Sequence, residues 1–317
     1  MYITKKRIKG KEYAYLVKSI RLTNGKIIKI QKILKTIKKL GELEAEFKDY
    51  FREKEKNIFQ NLALKQYSAD SIFTELQTKE IEDIRTEYSW VLNKLSKKQL
   101  QDLFDRFTIN FTYESNAIEG NSLTLKDVQI VIFENTAIKG RSLREIYETR
   151  NSRKVIDLIL KGKFGINEKD IIKMHKMLMR DIDSAIGYKK VPNFLLGRNI
   201  ETTLPEKVPE EMHNLVEWYN EKSGKMHPLK LSALFHGKFE KIHPFEDGNG
   251  RVGRFLINTI LADSNYPPLI IRKSQRIAYL KTLEDFDNGY TANLERFLLE
   301  KYKNTFKNFF QIYVKYI

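Results

Sequence analysis

Residues 228–260 read as two apolar helices joined by a segment that cannot be helical throughout. Leu231, Phe235, Phe239 and Ile242 fall on one stripe at steps of three and four, and Phe255, Leu256 and Ile260 lie on a second. Between them Pro244 follows His243 directly. The residue before a proline is pushed away from the α region, so the first helix is expected to end at His243. Gly248 and Gly250 flank Asn249, and these three residues tolerate positive φ at successive positions. The chain must turn here, and the turn sets an imidazole at one helix end beside a glycine-rich loop that opens the next helix.

That arrangement carries chemistry. A loop of this kind can aim several backbone N–H groups at one point, and the helix that follows favours an anion at its N-terminus. Arg251 and Arg254 stand at i and i+3 and share a helix face. The planar guanidinium suits phosphate oxygens. Asp247 offers one hard oxygen ligand, enough for a Mg²⁺ that takes its other ligands from phosphate and water. The unperturbed pKa of an imidazole lies near neutrality, which suits His243 to take a proton from an attacking hydroxyl. Together these are the parts needed for phosphoryl or nucleotidyl transfer. Each part alone has an ordinary explanation: a structural histidine, a turn, a solvated arginine face, an acidic loop. The case rests on their falling together within His243–Arg254.

The rest of the chain is organised around helices. Tyr13, Tyr15 and Val17 alternate with Ala14, Leu16 and Lys18, and Asn24-Gly25 is a two-residue hairpin signal, so residues 1–35 are expected to form a two- or three-stranded ribbon with a lysine-rich face. Helical spacing takes over from about residue 36. Ser96, Ser122 or Thr124, Ser142 and Asn167 are candidate caps, with helices expected over 125–137, 143–161, 168–182, 207–221 and 228–243. Residues 184–204, with Gly187, Pro192 and Gly197, break the pattern as a loop or short hairpin. The expected divisions are a basic ribbon at 1–35, a helical region at 36–100, a core at 101–300 and a final helix at 301–317.

Of the net charge of +16, residues 1–40 hold 13 Lys or Arg against the single acid Glu12, which leaves only +4 for the remainder. The ribbon, and not the core, is therefore the candidate for a nucleic acid or acidic partner. No run approaches the roughly 20 apolar residues of a membrane span. The first residues lack an apolar signal core, and cysteine is absent, which excludes disulfides and thiolate chemistry. A cytoplasmic protein without a membrane partner is the expectation.

The run His243-Pro244-Phe245-Glu246-Asp247-Gly248-Asn249-Gly250-Arg251-Val252-Gly253-Arg254 resembles, without departure, the motif of the Fic family. The resemblance extends to His227-Pro228, His236, Asn258 and Tyr266-Pro267-Pro268, over roughly residues 105–300. It implies a mainly α fold: a Fic-type helical core with a short β-hairpin flap near 188–199, preceded here by the small antiparallel ribbon. It implies that His243 activates a Tyr, Thr or Ser hydroxyl of a target protein and that Asp247 holds Mg²⁺. Gly248, Asn249, Gly250 and Arg251 would bind the nucleotide phosphates, and Arg254 the γ-phosphate. The usual reaction is transfer of AMP from ATP with release of pyrophosphate, and relatives often form dimers.

A second stretch, Ser115-Asn116-Ala117-Ile118-Glu119-Gly120, resembles the inhibitory pattern of the Fic subclass that carries its own blocking helix. By that resemblance Glu119 pairs with Arg254 and occupies the γ-phosphate site. The competing reading is an ordinary Ser115 N-cap with Glu119 in the first turn. Other uses of the site are AMP removal with Glu119 orienting a water, or transfer of another nucleotide, phosphocholine or phosphate. A nucleic-acid-docking protein is the reading from a different class.

Overall fold

The computed structural model describes residues 1–22, 26–193 and 202–315. Three strands open the chain: β1 (Tyr2–Ile8), β2 (Lys11–Arg21) and β3 (Ile27–Leu34), antiparallel in the order β1-β2-β3. Lys9 and Gly10 both take positive φ and form the two-residue turn that pairs Ile8 with Lys11. The Asn24-Gly25 turn lies outside the described residues, but Leu22 N–H donates to Lys26 O at 2.8 Å across its base. Alternation then sorts the side chains. Leu16, Ile20, Ile30 and Leu34 face α1 (Leu40–Glu46) and α2 (Lys48–Gln66), where they form a small core with Leu43 and Phe51.

α2 lies along α3 (Glu75–Lys94), joined by Lys56–Glu87 at 2.6 Å and Gln60–Asp83 at 2.7 Å. The other side of α3, with Ile81, Ile84, Tyr88 and Val91, enters the main core of the molecule. That core is built with α4 (Lys97–Ile118), α6 (Leu143–Leu160), α7 (Glu168–Leu178), α8 (Val208–Lys222), α9 (Pro228–Ile242), α10 (Asn249–Asp263), α11 (Arg276–Asp287) and α12 (Thr291–Thr305). A π-helical turn, Phe306–Phe310, then leads into α13 (Gln311–Val314) and sends Phe306 and Phe310 into the same core. α9 is buried on nearly all sides, as the central member of a helical assembly must be.

Local capping worked as its chemistry dictates. Ser96 and Gln99 form a reciprocal capping box on α4, and Thr124 and Asp127 do the same on α5 (Leu125–Phe133). Asn167 caps α7. Ser142 stands at the N-cap of α6 without a side-chain bond. Two helices are shorter than their spacing predicts. α5 stops at Phe133, ahead of Asn135 at φ 52°, and α7 stops at Leu178, ahead of Asp181 at φ 61°; left-handed residues cannot continue a right-handed helix. Half of the expected flap hairpin, 194–199, lies outside the described residues; 188–193 are irregular. Among the described residues no helix is long and apolar enough to cross a membrane.

Candidate active site

α9 ends as Pro244 requires. His243 closes it with its N–H still donating to Phe239 O at 2.9 Å, but in the left-handed region, φ 52° and ψ 61°. Such a backbone costs a non-glycine residue about 1 kcal/mol or more. The turn swings the imidazole, 13% exposed, back over the helix end, with Nδ1 3.3 Å from Glu240 O and 3.8 Å from the Glu240 carboxylate. Both neighbours are acceptors, which suits a tautomer with the proton on Nδ1.

The loop beyond is held from several sides. The Phe245 ring is fully buried and stacks on His175 of α7, with centroids 3.8 Å apart and planes 5° from parallel. Asn249 accepts from Phe245 N–H at 2.9 Å and donates to Phe245 O at 2.7 Å, while Asn193 donates to the same carbonyl at 2.8 Å. His175 Nε2 donates to Asp247 O at 3.0 Å, and burial lowers its pKa, keeping it neutral. Lys189 N–H donates to Pro244 O at 2.8 Å. Gly248, at φ 84°, makes the final turn into α10, where no side chain caps the first N–H groups. The side chain of Asn249 is thus committed to the loop, and its backbone N–H, with those of Gly250 and Arg251, faces the anion position that a helix N-terminus creates.

Arg251 is almost wholly buried, and its Nε and Nη1 make no hydrogen bond. Its charge is balanced at longer range by Glu148 (3.4 Å) and Asp247 (3.6 Å). Buried guanidinium donors without acceptors are costly unless an anion arrives to take them. Asp247 is 41% exposed; it accepts from Gly248 N–H and from Arg144 of α6, each at 2.5 Å. One exposed carboxylate beside an anion position fits Mg²⁺ completed by phosphate and water, and no cluster of three acidic, His or Cys ligands exists among the described residues.

Arg254, one turn further along α10, is the better-filled cation. Its Nη2 lies 2.7 Å from Glu119 Oε1 and donates to Ser115 O at 2.8 Å, while Nε donates to Ser115 Oγ at 3.1 Å. Burial opposes its charge, but Glu119, Tyr279 and Glu240 outweigh that and raise its pKa. Ser115 and Glu119 sit at the C-terminal end of α4, whose N-cap is Ser96, so the reading of Ser115 as an N-cap is overturned. A Cβ on Gly250 would overlap the Glu119 carboxylate; the glycine makes room for it. Glu119, His243, Gly250, Arg254, Arg276 and Tyr279 line one cavity of about 480 Å³.

Residues 165–261 match the Fic/DOC family. That segment, which holds the whole of His243–Arg254, is similar to a Fic domain. The protein adenylyltransferase Fic of Drosophila virilis is 34% identical over 192 residues, 59% of this chain and 40% of that protein. The chain thus spans about two fifths of the length of such curated relatives. A Fic-domain signaling protein of Bacteroides thetaiotaomicron shares the fold with a TM-score of 0.67 at 24% identity, over 74% of this chain and 95% of that one. A Fic family protein of Desulfovibrio desulfuricans G20 superposes with a TM-score of 0.61 at 26% identity, over 77% and 75%.

The Fic motif supplies His243 through Arg254, whereas Ser115 and Glu119 come from outside the matched segment and meet it only in three dimensions. Sequence reasoning passed over His175, Arg144, Glu148 and Asn193. Each lies on another element, and nothing in local spacing ties it to the loop it holds.

Proposed function

We propose that this chain is a protein adenylyltransferase held inactive by its own Glu119. The observation that carries the reading is the shared cavity: His243, the N-terminus of α10 and Arg254 open onto it, with Glu119 on the arginine. ATP phosphates would lie over the loop at Gly248 and the N–H groups of Asn249, Gly250 and Arg251, with the terminal phosphate at Arg254. Asp247 would hold Mg²⁺, which offsets phosphate charge when bound. Nε2 of His243 would take the proton of a Ser, Thr or Tyr hydroxyl on a target protein as its oxygen bonds to the α-phosphorus. The bond to the bridging oxygen breaks and pyrophosphate leaves. With Glu119 paired, Arg254 is unavailable and the triphosphate cannot settle in line.

The test is transfer of labelled AMP from ATP to proteins of a cell lysate, by wild type and Glu119→Gly. Label on protein, stronger with the variant, is the expected result. Absence of label from both, with ATP bound, overturns the reading. AMP removal is the second use of the same groups: Glu119 is 40% exposed in the cavity that holds His243 and could orient a water. Loss of label from a pre-modified target, abolished by Glu119→Gly, would identify that direction.

A further inference from the structure

The Fic pocket leaves the N-terminal sheet without a role, and the two faces of that sheet differ. One face is closed by α1 and α2. The other carries Tyr13, Tyr15, Lys6, Lys11, Arg21 and Lys29, the four cations all exposed and both rings half-exposed. No Asp or Glu stands among the described residues of this face. Glu12, the one acid of the ribbon, belongs to the covered side and pairs with Lys5 at 2.8 Å. The sequence charge of residues 1–40 is therefore not a uniform coat: Lys18 is neutralised by Glu55 and Lys32 lies over the Tyr50 ring, while the open face keeps its cations without acidic partners.

The aromatic residues sit where a stacking platform needs them. Tyr13 and Tyr15 are on the central strand at i and i+2, side by side, about 7 Å apart along the strand. Lys6 is the cross-strand partner of Tyr13, and its ammonium lies 5.3 Å from the centre of the Tyr15 ring. Rings in a row with cations beside them can stack bases and pair the phosphates between them. A duplex keeps its bases stacked on one another and cannot use such rings.

We propose that this open face binds single-stranded nucleic acid, without base-specific readout. Charge complementarity favours a polyanion, and the paired central rings favour one with planar groups over an acidic peptide. The inference does not depend on the reading of the Fic pocket.

The experiment is fluorescence anisotropy of the full chain with short labelled oligouridylate and oligothymidylate, each at about 50 mM and about 200 mM salt. Binding should weaken with salt at a log–log slope near −3, about −0.7 for each of the four cations. Tyr13→Ala with Tyr15→Ala should weaken binding by roughly 10- to 100-fold, while Phe at both positions keeps it, because the ring and not the hydroxyl stacks. Lys6→Gln with Lys29→Gln should flatten the slope by about 1.4. Circular dichroism confirms that the variants are folded. Failure of the wild type to bind at the lower salt overturns the proposal. So does alanine binding as tightly as tyrosine, equal affinity for a duplex of the same length, or binding only to an acidic peptide or to phosphatidylserine vesicles.

Discussion

Glu119 Oε1 lies 2.7 Å from Arg254 Nη2, and the pair joins the end of α4 to the first turns of the motif helix α10. Arg254 is buried and Glu119 is 40% exposed, so the contact locks a buried cation from its solvent side. On the proposed reading this pair competes with the terminal phosphate of ATP for Arg254.

Removing the carboxylate should therefore release the site. Glu119→Gly is expected to raise AMP transfer at least about tenfold, the equivalent of ~1.4 kcal/mol of lost competition. Initial rates of label incorporation at fixed ATP measure it. A variant no faster than wild type would sever the link between the pair and restraint.

His243 offers a sharper test because its backbone is strained. His243→Gly should abolish transfer and at the same time leave the fold as stable or more stable, by about 0.5–1 kcal/mol, since glycine takes φ 52° without penalty. Urea denaturation with ATP-binding measurements separates the two effects. A clear loss of stability would mean that the imidazole holds the structure together.

Stability should depend on pH through His175. Burial lowers its pKa from the ordinary 6.5, so below that value the unfolded chain takes up a proton that the folded one refuses. Its stabilising contribution is present above about pH 6.5 and is lost as pH falls toward the folded pKa. His175→Gln removes the titration, so the stability gap between wild type and variant should narrow as the pH drops from 7 toward 5. Thermal melts across that range read the gap directly; a gap that stays constant or widens contradicts the assignment.

Gly253 of the site helix faces buried side chains that cannot swing aside. A Cβ there would stand 2.6 Å from Glu240 Oε1 and 2.7 Å from the His236 ring, both buried. Gly253→Ala is expected to cost about 1–3 kcal/mol by overpacking, visible as a lowered urea midpoint. An unchanged midpoint would show that the His236–Glu240 layer yields more easily than its burial suggests.

Some features were determined by the sequence alone because their causes are local. Pro244 ends α9 at His243, Gly248 turns the loop, and Ser96, Thr124 and Asn167 start their helices, each through atoms a few residues away. The alternation of β2 was readable for the same reason. Tertiary structure decided what those elements meet. The burial of Leu16 and Ile20 leaves Tyr13 and Tyr15 on the open side, and no pattern within β2 states which face a helix will cover. His175, Arg144 and Asn193 reach the loop from distant elements, and periodicity carries no information about long-range partners. Arg254 was legible as a cation on the motif helix and its pairing with Glu119 only through a family resemblance, since local spacing carries no sign of it; the contact itself is made by the packing of α4 beside α10, which brings a carboxylate within hydrogen-bond reach of a buried guanidinium.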